Sequence, residues 1–146
     1  PKVDRLALQG EPNIELPKTH FDNLDFSFSG IKTAVINLHH KNPDINKADL
    51  CASFEKTVTE ILIEHIKKAI EITGLKTVAL AGGVSANSYI RNAFDDLEKN
   101  GIKVYMPDLK LCTDNGAMIG SAGYYNYMAG IRDGLELNAI PNLKLN

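Results

Sequence analysis

No stretch of this chain stays apolar for anything near the ~20 residues that a membrane-crossing helix requires. Residues Pro1 to Gly10 also lack the apolar core of a secretory leader. Neither a membrane span nor an export signal is therefore expected. Cysteine is scarce: Cys51 and Cys112 are the only two, and no Cys-x-x-Cys pair exists. Reduced thiols in a cytoplasmic protein are the expectation. Charge of one sign is lacking too, since 16 basic against 18 acidic residues leave a net charge of −2. Global electrostatics thus give no case for nucleic acid, although a local basic face stays open. His-Glu-x-x-His and Gly-x-Ser-x-Gly are both missing, which removes the signatures of zinc proteases and serine hydrolases. His39 and His40 are adjacent, so on a helix they diverge and cannot chelate together. His20 in a loop and His65 on a long helix read as surface or packing residues. Internal repeats and low-complexity segments are absent.

What is present is a globular composition, with 44% hydrophobic and 23% charged residues in 146 positions. That suffices for one domain with a real core, or for a piece of a larger protein. The chain opens on proline with no methionine, so a processed or excised piece is expected.

Pro1 to Gly10 reads as a short helix stopped by Gly10, and Glu11 to Asp25 as a connector rich in Pro and Asx. Ile31 to His40 carries Ile31, Val35 and Leu38 at helical spacing, with Ser29 placed to cap it. Lys41-Asn42-Pro43-Asp44 breaks that helix. The longest helix is expected from Lys47 to Thr73. Leu50, Phe54, Val58, Ile61, Leu62, Ile66, Ala69 and Ile70 form its apolar stripe, with Glu55, Lys56, Glu60, Lys67 and Glu71 largely off it. Gly74 stands where a C-terminal cap would. Phe26, Phe28 and Phe54 are most simply core, and Lys67-Lys68 a solvated face.

Thr77 to Ala81 reads as a strand of a parallel sheet covered on both faces. Ser88 to Asn100 is a helix closed by Gly101, and Ile102 to Met106 a second strand ended by Pro107. Asp108 to Thr113 is a loop and Asn115 to Met128 a last helix, whose small residues permit close backbone contact. Residues 132–146 look irregular. Two strands make a poor sheet alone, which implies packing against a missing half or edge strands without a clear pattern.

Two places invite chemistry. Leu80-Ala81-Gly82-Gly83-Val84-Ser85-Ala86-Asn87 runs from strand through paired glycines into a helix, so backbone N–H groups can approach an anion at a positive helix end. A purely structural corner, with Ser85 as the helix cap, explains the glycines about as well. Asn87, one turn into the helix, favours a ligand slightly, because a carboxamide both donates and accepts. In Leu111-Cys112-Thr113-Asp114-Asn115-Gly116-Ala117-Met118, Asp114 sits where a helix-start acid is favoured. Capping is the simpler role there; metal ligation would need further ligands.

Three segments occur in order: Ser27-Phe28-Ser29-Gly30-Ile31-Lys32-Thr33-Ala34, Gly82 to Ser88, and Leu111 to Ile119. Together they resemble the bacterial TsaD family, formerly grouped as O-sialoglycoprotein endopeptidases. Pro1-Lys2-Val3-Asp4-Arg5-Leu6-Ala7 resembles the segment after that family's Pro-Gly-Gly turn, and Asp133 to Ala139 resembles its ending. The resemblance covers essentially the whole chain.

It implies an α/β fold, the C-terminal lobe of an actin/Hsp70-like ATPase (ASKHA) fold around a small and partly missing sheet. It implies transfer of a threonylcarbamoyl group from threonylcarbamoyl-AMP to N6 of the adenosine beside the anticodon in tRNA, with threonylcarbamoyl-AMP or ATP as the cleft ligand and TsaB and TsaE as partners. By motif, Asp4, Gly82, Gly83 and Asn87 would contact the nucleotide or intermediate. Asp114 would be one ligand of an iron or zinc ion that polarises the carbamoyl carbonyl. The family's His-x-x-x-His pair and Ser-Gly-Gly-His-Thr motif are absent; both belong to the preceding half of its chains. Ser85 and Ile31 replace the commoner alanine and leucine. The chain alone is therefore expected to be inactive. The alternatives are the older glycoprotein-endopeptidase activity and a non-catalytic nucleotide-binding scaffold.

Overall fold

Asn46 begins the element around which the rest is built. In the computed structural model, which describes residues 2–19, 21 and 23–141, its side chain accepts the N–H groups of Ala48 and Asp49. The long helix Lys47–Thr73 follows and ends at Gly74, whose φ of 70° is the left-handed cap that only glycine adopts cheaply. The elements in chain order are α1 (Lys2–Ala7), α2 (Ser29–Lys41), α3 (Lys47–Thr73), β1 (Thr77–Ala79), α4 (Ser88–Lys99), β2 (Lys103–Tyr105) and α5 (Gly116–Met128). Short 3₁₀ turns at Gly83–Ala86 and Leu109–Leu111 complete them. The chain divides into two compact units, residues 1–112 and 113–146.

In the first unit α3 serves two cores. Its early turns place Leu50 and Ile61 against Ile31 of α2 and Leu16 of the connector. Its later turns place Leu62, Ile63 and Ile66 against Ile90, Phe94 and Leu97 of α4 and against Val78 and Val104 of the sheet. The connector lies along α3 because its backbone finds partners there. Glu11 N–H donates to Asp49 at 2.9 Å and Ile14 N–H to the Ser53 hydroxyl at 2.9 Å. Gly10 acts by close approach: a Cβ there would overlap the Ala48 carbonyl group, so glycine lets α1 rest on the first turn of α3.

The two strands pair in parallel, with Thr77 opposite Lys103, Val78 opposite Val104 and Ala79 opposite Tyr105. The expected cover on both faces is not what the fold provides. Val78 and Val104 are half-buried under α4, whereas Thr77, Ala79, Lys103 and Tyr105 are exposed. Within the first unit one face of the sheet has no cover among the described residues, and the alternation follows from that.

Other expectations also need correcting. Ser29 is the first residue of α2 and not its cap; its N–H meets the Ser27 hydroxyl at 3.3 Å. Phe26 is exposed, not core, its ring lying against Phe28 and edge-on to His65. His65 fills a packing role, with ring nitrogens on the Ile61 and Asp25 carbonyls at 2.8 and 2.9 Å. Half-buried Lys68 donates to the Asn23 carbonyl, so the Lys67-Lys68 face is only partly solvated. Both cysteines are free thiols. His20 lies outside the described residues, as does the end of the tail, 142–146; residues 132–140 form no helix or strand.

The second unit is α5 and the tail after it. The Asn115 side chain accepts the Met118 N–H at 3.0 Å, so Asn115, not Asp114, caps the helix. Tyr124, Tyr125 and Tyr127 are exposed along α5. Among the described residues no helix is long and apolar enough to cross a membrane.

Candidate functional site

The carboxyl ends of parallel strands are where open α/β sheets place their ligands. Here β1 leads into the Leu80–Gly82 corner and β2 leads, after Tyr105, to Pro107. Arg91, in the first turn of α4, ties both ends together. Its guanidinium donates to the Ser85 carbonyl at 2.9 Å and to the Pro107 carbonyl at 3.0 Å, with the buried Cys112 sulfur at 3.8 Å. Two carbonyls on one planar fork fix the corner relative to the sheet edge.

The corner itself is exposed from Ala81 to Val84. Gly82 has φ 83°, a conformation that L side chains rarely adopt, and no atom lies within 4 Å of a Cβ built on it. Glycine here answers a backbone requirement and leaves open space above the turn. Gly83 starts the 3₁₀ turn without a positive φ. Ser85 is fully buried and donates to the Gly82 carbonyl at 2.6 Å, so it braces the turn and does not cap α4.

The cap is Asn87, which is the residue before α4 and not a turn inside it. Its Oδ1 accepts the Ile90 N–H at 2.9 Å. Its Nδ2 donates twice, to Glu55 Oε1 at 2.7 Å and to Asp4 Oδ1 at 3.1 Å. Both amide hydrogens are thereby used within the protein. What Asn87 keeps for a ligand is one lone pair on Oδ1.

Asp4 arrives from α1, more than eighty residues away in sequence. Its Oδ1 accepts the Ser88 N–H at 3.0 Å and the Ser88 hydroxyl at 2.7 Å, besides Asn87. A carboxylate at the start of α4 is favoured by the helix dipole. All three bonds fall on one oxygen. The side chain is half-buried.

The spacing of α3 puts Glu55 largely off the apolar stripe. Instead it is 6% exposed and faces Asn87. Burial pushes its carboxyl above the ordinary carboxylate range; the Asn87 bond opposes this and the Asp4 charge adds to it. One signal in the sequence points to Glu55. Its neighbours on the same helix face are Cys51, Ala52, Val58 and Thr59, none of them charged.

The structure thus brings Asp4, Asn87 and Glu55 together at the start of α4, one turn after Gly82 and Gly83. Asp114 belongs to the second unit and is exposed. Among the described residues no three His, Cys, Asp or Glu side chains are grouped to hold a metal ion. One carboxylate does not make a transition-metal site, because affinity comes from several ligands acting together.

These features define an α/β unit whose candidate site is a glycine corner and a shared carboxamide at the carboxyl edge of a parallel sheet. A sequence model of the TsaD family, described as tRNA N6-adenosine threonylcarbamoyltransferase, matches residues 1–121. The chain belongs to that family. A relative from Clostridium novyi named tRNA N6-adenosine threonylcarbamoyltransferase is 47% identical over 154 aligned positions. Relatives of the same name from Clostridium botulinum and Clostridium perfringens are 46% and 48% identical. Each alignment covers 99% of this chain but 45% of the relative, so the chain spans about half the length of the relatives it matches, as a C-terminal portion.

Proposed function

We propose that this chain supplies the nucleotide-facing wall of a tRNA N6-adenosine threonylcarbamoyltransferase, as the C-terminal lobe of an actin/Hsp70-like (ASKHA) fold. The reaction is transfer of the threonylcarbamoyl group from threonylcarbamoyl-AMP to N6 of the adenosine beside the anticodon in tRNA. The observation that carries this reading is the half-buried Asp4 carboxylate, anchored through Oδ1 at the start of α4, beside an exposed corner with a positive-φ glycine. A carboxylate oxygen accepts from ribose hydroxyls, as acidic residues do in dinucleotide folds. Exposed N–H groups at Gly82 and Gly83 suit the phosphate of an adenylate, whether from the intermediate or from ATP.

The chain's own residues bind and orient; the attacking amine belongs to the tRNA adenosine and the leaving group is AMP. An iron or zinc ion would have to draw most of its ligands from the amino-terminal portion, with Asp114 adding one carboxylate. Such an ion would supply Lewis-acid polarisation of the carbamoyl carbonyl. The piece alone is then inactive. TsaB, TsaE and the amino-terminal lobe are its partners, and the cytoplasm, where thiols stay reduced, is its place of action.

A chimera tests the proposal. The corresponding portion of the Clostridium novyi relative is replaced by this chain and supplied with TsaB, TsaE, ATP, threonine, bicarbonate and a source of threonylcarbamoyl-AMP. Formation of threonylcarbamoyladenosine in unmodified tRNA is expected. A folded chimera with no product, beside an active parent, would refute it.

A further inference from the structure

We propose that Glu55 is the positioning residue of this wall: by taking one Asn87 amide hydrogen it fixes the carboxamide, and through it Asp4, at the start of α4. The inference rests on the nucleotide reading of Asp4 given above. The geometry leaves Asn87 little freedom. Its three side-chain bonds point to three different elements, Ile90 on α4, Asp4 on α1 and Glu55 on α3. The shortest is the bond to Glu55, at 2.7 Å. Glu55 is also the most buried of the three side chains and sits in mid-helix, where its backbone cannot drift. α1, by contrast, has six residues and cannot hold Asp4 in place by itself.

The chemistry follows from the sharing. Two carboxylates so close would repel, and the Asn87 amide between them gives each one a hydrogen. With Glu55 in place, the carboxamide cannot flip, because a flip would turn its oxygen toward two acids. Oδ1 then faces Ile90 N–H, and Asp4 keeps its Oδ1 on Ser88 and Asn87. Without Glu55 the carboxamide can rotate, the cap loosens, and Asp4 loses its fixed direction. Among the described residues the titratable groups around Glu55 are Asp4 from α1, Cys51 on its own helix and Tyr89 from α4, and the charge of the amino terminus opposes the effect of Asp4. Burial and Glu55 both raise the Cys51 thiol, so that group stays neutral.

Two variants separate positioning from mere filling of space. Gln at position 55 keeps an acceptor oxygen toward Asn87; Leu fills the volume and offers none. The probe is the Asn87 side-chain amide pair in ¹⁵N NMR spectra of the 146-residue chain, followed from pH 4 to pH 8, together with binding of AMP. The expected result is an Asn87 resonance that titrates with Glu55 in the wild type. That titration should be lost in E55Q, and the resonance should collapse to a freely rotating position in E55L. Amide exchange at Ile90 should quicken in E55L and be rescued in E55Q. AMP affinity should fall at least about tenfold in E55L and return in E55Q, a factor equal to about 1.4 kcal/mol. An Asn87 pair and Ile90 exchange unmoved in E55L would overturn the proposal, as would a wild-type titration that persists unchanged in E55Q. If AMP binds to none of the proteins while the Asn87 signals behave as stated, the nucleotide reading fails in this chain and the positioning claim stands.

Discussion

Replacing Asn87 by Asp sets two rules of helix capping against each other. On capping alone the change is neutral, since Asp and Asn are equally good at this position. The cluster says otherwise. Asn87 Nδ2 lies 2.7 Å from Glu55 Oε1 and 3.1 Å from Asp4 Oδ1. A carboxylate oxygen placed there meets two acids at about 3 Å, where a pair of unit charges repels by roughly 5 kcal/mol at an effective dielectric of ~20. Protonation limits the damage, because neutralising one ordinary carboxyl at pH 7 costs only about 3.7 kcal/mol. We expect N87D to lose about 2–4 kcal/mol at pH 7, a large part of a typical ~5–15 kcal/mol total. The sign with pH is fixed: the folded variant binds an extra proton that the unfolded chain does not. Its deficit should therefore shrink on acidification, by up to about 1.4 kcal/mol per pH unit relative to the wild type. Urea unfolding at pH 7.5 and pH 5.5 measures both quantities. An N87D protein within about 0.5 kcal/mol of wild type at both pH values would refute the shared-amide account and leave Asn87 an ordinary cap.

Three further outcomes are expected. Gly10→Ala drives a methyl group into the Ala48 backbone, which cannot rotate away, so stability should fall by about 1–3 kcal/mol and amide exchange at Ser88 should rise as α1 lifts. Glu55→Gln removes a buried charge but keeps an acceptor. Because the folded Glu55 carboxyl lies above its ordinary value of 4.5, the stability tied to its protonated form is lost as pH rises through the folded value. The urea midpoint of E55Q should accordingly gain on wild type between pH 4 and pH 8. In the chimera, Asp114→Ala should lower bound iron or zinc below one per subunit with an unchanged melting curve; stoichiometric metal would reduce Asp114 to a surface acid.

Much of the frame is legible in the sequence because it depends on neighbours in the chain. The span of α3, the left-handed cap at Gly74, the strand–corner–helix order around Gly82 and the break at Pro43 are local matters of spacing and backbone preference. The junction is not local. Glu55 and Asn87 are 32 residues apart, and Asp4 and Asn87 are 83 apart. A rule that sends charges to the solvent side of a helix has no access to a partner from another element. Ser85 misled for a related reason: a serine before a helix usually caps, but here Asn87 stands closer to the first turn and takes that place. The apolar run from Thr77 to Ala81 suggests cover on both faces, while the described residues of the first unit supply cover for one.

The claim that Asp4 reads a nucleotide is tested most directly by Asp4→Asn in the chimera. Asn keeps an oxygen for Ser88, but it puts a neutral amide in place of Oδ2, the proposed acceptor for ribose. Isothermal titration with AMP should show at least about tenfold weaker binding, equal to about 1.4 kcal/mol, with an unchanged melting temperature. Wild-type affinity in a folded D4N chimera would contradict the account.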